Sequence, residues 1–502
     1  MNGAGARARI RSDRRLNGGW ALLLIAVATG MLRAMWLGDP AASADEQLYS
    51  LIGNRMVAGD LPFVDVWDRK PIGLFALYAF AHWIGGPQPI AYQVLALAFS
   101  VGGGWLTFAL ARPIAGWASG VAAALLYQLL MIAYGSHAGQ SEIFHVPMML
   151  AALLLLRDWR PGRLSESRPD SGPHQGPWRA IAAMLVCGLA LQVKYTVLPQ
   201  CLFMGLVALW RLREGGARLP RIAAHAAIYA LIGIAPTALA GTAYALAGHW
   251  HEFAFANFQS FFDRLPSDAG RFGQRHLLAV MPLAALLGGG VWAAVRIAPP
   301  RPRRHYALIA GWTLSALATV LLPSTVYLYY YAALVPGVVL LALPLYNCRR
   351  MIGVAMALAL VVVNYALLDM PARFQQTRQR RASVARLAAA IAPHMQAGGP
   401  CLYIHDGPSV LYTMAGKCLP GRFVYPDHLN NLLETPALGT GQAAEVARIL
   451  ATAPPVIVTA NRPLTPQAPA VQALVRQALV QDYHRAASDR IDQRVISVWL
   501  RN

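Results

Sequence analysis

Apolar runs about 20 residues long recur along this chain, separated by short stretches rich in arginine, and that alternation leaves few folds open to it. A run of that length spans the hydrocarbon of a bilayer as a helix, and in hydrocarbon only helices and closed barrels satisfy their own backbone groups. The expected fold class is therefore a polytopic α-helical membrane protein. Composition agrees: 56% of the 502 residues are hydrophobic and 13% are charged, where about 25% charged is usual. A formal charge of +20 would suit nucleic acid in a soluble chain. Here the basic residues fall mainly between apolar runs, where they set topology, so no nucleic-acid partner is expected. The five cysteines form neither a CxxC motif nor a Cys/His cluster of the zinc-binding kind.

Arginines fix the sides. Arg7, Arg9, Arg11, Arg14 and Arg15 place the start of the first span, 20–37, in the cytoplasm. Ala42-Ser43-Ala44 imitates a signal-peptide cleavage site, but Arg33 and a long gap separate it from the apolar core, so the span is expected to be retained. The next apolar stretch, 72–85, is short for a crossing and ends at Gly85-Gly86-Pro87. If it crossed, Arg112 and the group Arg157, Arg160, Arg163, Arg168 and Arg179 would lie outside. If it lies in the outer interface, every basic loop moves to the cytoplasm, including Arg211 to Arg221, Arg301 to Arg304, and Arg349 with Arg350. We adopt the second arrangement. Spans then follow at 91–111, 114–134, 143–156, 180–194, 196–211, 222–246, 277–297, 305–322, 329–346 and 352–369, for about eleven crossings in all.

This assigns 1–369 to a transmembrane domain with its first outside loop at 38–90. Residues 370–502 become a soluble α/β domain on the outer side. A helix is predicted near 383–394, with strands at 402–404, 423–425, 456–459 and 495–500. Cys401 and Cys418 share that oxidising side, and their spacing leaves open whether they are bonded. Cys187, Cys201 and Cys348 read as small buried apolar residues in or near the membrane.

Chemistry concentrates in 45–73, which is polar where its neighbours are apolar. It holds Asp45 with Glu46, Asp65 with Asp68, and Arg69 with Lys70 between Trp67 and Pro71. A carboxylate that takes a proton beside a cation that holds a phosphate, where lipid meets water, is what sugar transfer from a lipid phosphate requires. The spacing alone fits the solvated charges of an ordinary first loop equally well. Each residue also has a plainer role open to it. Asp45 fits a helix N-cap, Glu142 an interfacial charge, Lys70 a snorkelling anchor, and Lys194 a turn residue. His249 and His251, two positions apart, share no helix face and read as interfacial rather than as a metal pair, and Trp67 with Tyr329, Tyr330 and Tyr331 fits a belt of aromatics.

The segments ADEQLY (44–49), VWDRKPIG (66–73), GQSEIF (139–144) and VKYT (193–196) resemble the GT-C superfamily of polyprenyl-phosphate-sugar glycosyltransferases. The likeness is to the bacterial branch that contains the lipid A aminoarabinose transferase and the protein O-mannosyltransferases. YLYYYAALVPG (327–337), YIHDGPSVLYTMAGK (403–417) and RFVYP (422–426) extend it over nearly the whole chain. It implies a GT-C fold with membrane-lying helices in the first outside loop. It also implies an inverting transfer of sugar from a polyprenyl-phosphate donor to an acceptor hydroxyl on a glycolipid, polysaccharide or protein.

By the same resemblance Asp45 matches the catalytic acidic residue, Glu46 its neighbour, and Glu142 a second acidic residue. Lys70 matches the lysine that holds the carrier phosphate, Lys194 a lysine after a short span, and Tyr330 or Tyr331 a residue near the donor phosphate. Arg69 and Arg55 are further candidate phosphate cations. Where the aminoarabinose enzyme has a Glu and a His as metal ligands, this chain has Arg69 and Asn257; no metal ligands are assigned, and a divalent metal is left open. The implied setting is the bacterial inner membrane, with the active site facing the periplasm. A transporter or lipid flippase is the rival class. It would keep charges near the midplane with repeat symmetry, whereas here acidic residues collect at one face and no repeat is evident.

Overall fold

The structure is a computed structural model and describes residues 3–159, 161, 177–267, 274–323, 325–347, 369–416 and 418–502. The expected span at 352–369 falls almost wholly outside these residues. So do Cys348 and five of the topology arginines, Arg160, Arg163, Arg168, Arg349 and Arg350.

The membrane part is a bundle of helices: α1 (Gly3–Arg33), α2 (Ala44–Val57), α3 (Ile72–Gly85), α4 (Pro89–Ala133), α5 (Ser141–Arg157), α6 (Trp178–Leu191), α7 (Leu198–Glu214) and α8 (Leu219–Leu246). After these come the short α9 (Trp250–Ala254) and α10 (Ser260–Asp263), then α11 (Gln274–Arg296), α12 (Arg303–Leu321), α13 (Val335–Leu341) and α14 (Leu343–Asn347). Among the described residues, five helical segments are long and apolar enough to cross a membrane: Gly18–Trp36, Pro89–Ala133, Tyr195–Glu214, Leu219–Leu246 and His276–Arg296. The chain is a multi-pass membrane protein.

Two of the spans predicted from sequence share α4. Gly116 breaks this helix with φ +84°, a conformation that glycine adopts without penalty, and Pro113 precedes the break. The halves fold back on each other: Gln128 Nε2 donates to the Ser100 carbonyl at 2.6 Å, and Gly120 lets Phe108 approach. Helix α3 has 14 residues and is about 21 Å long, less than the roughly 30 Å of bilayer hydrocarbon. It packs on α2 where Gly53 leaves room for Tyr78. Together α2 and α3 fill the connection between α1 and α4. Helices α5 and α6 are also short, 17 and 14 residues, and pack against each other in the main apolar core with α7 and α12. Helix α8 instead exposes Leu231 and Leu239, each 71% accessible, as a lipid-facing helix does.

Beyond the bundle, α15 (Met370–Ile391) leads into a four-stranded sheet of β1 (Tyr403–Ile404), β2 (Val456–Ala460), β3 (Tyr483–Ile491) and β4 (Arg494–Arg501) in the order β1-β2-β4-β3. Strands β1 and β2 are parallel; β4 runs antiparallel to both β2 and β3. The predicted strand at 423–425 is instead irregular backbone with Phe423 and Val424 buried, because its apolar side chains fill the core as a loop. Strand β3 was missed: YHRAASDRI is polar because it is an edge strand with one face in solvent. Cys401 and Cys418 form a disulfide, with Cα atoms 5.2 Å apart. The α/β part is pinned to the bundle by Arg380 on Asp39 at 2.9 Å and by the Trp67 backbone N–H on the Arg422 carbonyl at 2.9 Å.

Candidate active site

The α1–α4 connection, the turn between α6 and α7, the turn before α13 and the α/β part converge on one cavity of about 920 Å³. Each wall arises from a local break in helical order. Asp45 lies in the first turn of α2, where a carboxylate favours the helix dipole. Arg69 and Lys70 precede Pro71, which has the extended backbone that starts α3. Lys194, extended at φ −158°, joins α6 to α7. Tyr329 and Tyr330 sit in the 3-10 turn Leu328–Leu334.

Asp45, Lys70, Arg69, Lys194, Tyr329 and Tyr330 all line this cavity. The Tyr329 hydroxyl donates to Asp45 Oδ2 at 3.2 Å, and Tyr425 approaches Oδ1 at 3.5 Å. Lys194 pairs with Glu142 and lies 3.8 Å from the centroid of the Tyr330 ring. Arg69 pairs with Glu434, whose other oxygen takes Arg264 Nε at 2.5 Å. Lys70 is the remaining cation. Among the described residues it makes no ion pair; two residues before it, burial pushes the Asp68 carboxyl up to about 6 against the pull of Lys70 and Arg69.

Four other predicted site residues stand apart from the cavity wall. Glu46 is fully buried behind Asp45, and burial, with the charges of Asp39 and Asp45, pushes its carboxyl up to about 8. Glu142 is buried and engaged with Lys194. Arg55 does not reach the cavity because its Nε is taken by Asp60 at 2.5 Å at the last turn of α2. Tyr331 points into the bundle, where its hydroxyl meets His276 Nδ1 at 3.0 Å. Arg69 and Asn257, the two departures noted in the sequence, both line the cavity. Asn257 Nδ2 donates to the Phe253 carbonyl at 2.8 Å and Oδ1 accepts the Tyr195 hydroxyl at 3.0 Å. Among the described residues no three His, Cys, Asp or Glu side chains converge in a way that would hold a metal ion.

Sequence reasoning gave no role to the wall supplied by the α/β part: Tyr425, Asp427, His428 and Glu434. Burial raises Asp427 to about 6, opposed by a Thr465 hydroxyl that donates to it at 2.9 Å. Burial lowers His428 to about 3, so it is neutral and packs edge-on to Trp67 at 4.8 Å. Burial also works against the Glu434 carboxylate, but Arg69 and Arg264 outweigh it and hold this group below the ordinary range. Tyr425 lies within the RFVYP segment, and Arg264 directly follows α10. Nothing local distinguishes Glu434.

No family model matches the sequence, and no curated protein is similar to it. The fold, however, has solved counterparts. ArnT from Cupriavidus metallidurans bound to undecaprenyl phosphate aligns with a TM-score of 0.62 at 16% identity, over 96% of this chain and 98% of that one. Its apo state aligns at 0.63 and 15% identity over the same shares. The archaeal oligosaccharyltransferase AglB from Archaeoglobus fulgidus, in complex with an inhibitory peptide and a dolichol-phosphate, aligns at 0.51 and 13% identity over 88% of this chain and 69% of that one. The fold is the GT-C fold that the sequence motifs implied.

Proposed function

We propose that this chain is an inverting glycosyltransferase that moves a sugar from a polyprenyl phosphate to an acceptor hydroxyl on a glycolipid, polysaccharide or protein. Its setting on this reading is the bacterial inner membrane, with the cavity open to the periplasm. The observation that carries the proposal is that Asp45 and Lys70 line the same cavity, whose wall continues into apolar side chains such as Leu198, Ile234, Phe262 and Leu322. A carboxylate, an uncommitted ammonium and an apolar surface match, in turn, a hydroxyl, a phosphate and a prenyl chain. Undecaprenyl phosphate is bound in the ArnT structure and a dolichol-phosphate in the AglB structure, both proteins of this fold. The Cys401–Cys418 disulfide supports an oxidising compartment for the α/β part.

In the proposed reaction the acceptor oxygen attacks the anomeric carbon while its proton passes to Asp45. The bond from that carbon to the phosphate oxygen breaks from the opposite side, and the configuration inverts. The leaving polyprenyl phosphate takes the electron pair and gains a negative charge, which Lys70 and Lys194 stabilise. Tyr329, donating to Asp45, orients the carboxylate and leaves Oδ1 towards Tyr425 and the acceptor. Glu142 keeps Lys194 charged and positioned.

The test is Asp45→Asn. It is expected to abolish transfer while leaving undecaprenyl phosphate binding intact; wild-type turnover in this variant would refute the assignment. Mass spectrometry of envelope glycans from cells with and without the gene identifies sugar and acceptor together.

A further inference from the structure

Helix α15 runs across the outer end of the first membrane helix. Arg381 donates to the carbonyls of Gly38 (2.9 Å) and Leu37, and Arg380 pairs with Asp39 at 2.9 Å. The membrane-crossing segment Gly18–Trp36, the end of α1 with the short turn that follows it, stops at Trp36, so this part of α15 lies where the chain leaves the hydrocarbon. Here, between α15 and the β3–β4 hairpin, is a groove of about 700 Å³ that shares no lining residue with the active-site cavity.

Arg378, Arg380, Arg386 and Arg490 line the groove against Asp489 and Asp492. Both carboxylates are engaged. Asp492 takes Arg380 at 2.8 Å, and Asp489 takes Arg386 at 2.5 Å. Arg378 and Arg490 are exposed and, among the described residues, have no carboxylate partner; Arg490 Nε donates to the Asp492 carbonyl at 3.0 Å. The two engaged pairs brace the walls, so the unmatched positive charge is held in place rather than relieved by collapse. Phe374, four residues before Arg378 and therefore on the same helix face, is 43% exposed. An aromatic ring and free guanidinium groups at the level where lipid meets water match the two halves of a charged lipid.

We propose that this groove binds the phosphate headgroup of an anionic phospholipid from the adjoining leaflet, with Arg378 and Arg490 on the phosphate oxygens and Phe374 against the glycerol and upper acyl chain. A guanidinium presents paired donors to phosphate oxygens, and anionic lipid concentrates beside such residues. The bound lipid ties the α/β part to the bilayer beside α1. This does not depend on the transferase reading.

The full-length protein, reconstituted in nanodiscs of phosphatidylglycerol and phosphatidylcholine and then released for native mass spectrometry, tests it. The wild type is expected to retain phosphatidylglycerol selectively. The double variant Arg378→Gln/Arg490→Gln should lose about thirtyfold of that preference with unchanged thermal stability. Lys70→Gln, altered only in the active-site cavity, should keep it. Equal retention in the double variant and wild type overturns the proposal, as does loss in Lys70→Gln alone. Displacement of the lipid by soluble glycerol phosphate at comparable concentration assigns the groove to a free phosphate and likewise overturns it.

Discussion

The hydroxyl of Tyr329 donates to Asp45 Oδ2 at 3.2 Å, across 284 residues of chain. The bond ties the turn before α13 to the first turn of α2 and leaves the carboxylate one defined orientation.

Tyr329→Phe removes this donor while keeping the ring. A hydrogen bond to a charged group contributes about 1.5–3 kcal/mol, so kcat is expected to fall at least about tenfold. Tyr425→Phe, which starts from a 3.5 Å contact, should cost less. Steady-state kinetics beside undecaprenyl phosphate binding separate the two effects, because neither variant should weaken the lipid.

Lys70 and Arg55 give opposite expectations although both are cations of the connection between α1 and α4. Lys70 lines the cavity without an ion-pair partner, whereas Arg55 is held by Asp60. Lys70→Gln should weaken undecaprenyl phosphate binding by about tenfold or more. Arg55→Gln should leave it unchanged. A titration of both variants that gave equal Kd values would remove Lys70 from the phosphate site.

Glu434 is a stability residue as well as a wall of the cavity. Its side chain is 5% exposed and holds Arg69 and Arg264, themselves 14% and 18% exposed. Glu434→Gln leaves two largely buried guanidinium groups without a counter-charge, at a cost of about 3 kcal/mol. Adding Arg69→Gln should cost less than the sum of the single changes, since the pair is coupled. Melting temperatures in detergent for the two single variants and the double variant measure this.

Glu46 predicts a pH dependence. An unperturbed glutamate has a pKa of 4.5, and burial raises this one to about 8. Below the lower value both folded and unfolded chains hold the proton, and the folded state has its full advantage. As pH rises towards the upper value only the unfolded chain releases it, so stability falls by up to about 1.4 kcal/mol per pH unit. Asp68 and Asp427, both raised to about 6, add to this slope at lower pH. Glu46→Gln should therefore flatten the profile between about pH 6 and about pH 8, read from melting temperatures. The same slope in wild type and variant would show that Glu46 ionises freely.

Much of the bundle was legible because hydropathy is a local property. The spans at 91–111 and 114–134 emerged as the two halves of α4, and 72–85 is the short helix α3 with those bounds. Strand β3 was illegible for the converse reason. On a sheet edge, a largely solvated strand carries polar side chains that do not report its backbone ladder to β4. Asp45, Lys70 and Lys194 could be singled out because charge in an apolar chain is conspicuous. Arg55 stood out in the same way yet lies elsewhere, since the turn that ends α2 aims it at Asp60.

What the sequence determined alone is the succession of apolar and polar stretches, hence the helices and the polar loop 45–73 whose residues line the cavity. The tertiary structure decided which polar groups meet. Glu434 reaches Arg69 across 365 residues, and the α/β part closes a cavity begun by the connection between α1 and α4. Burial free energy depends on a residue's own neighbourhood and can be read along the chain. A meeting of charges depends on how distant helices pack, and no local pattern encodes that.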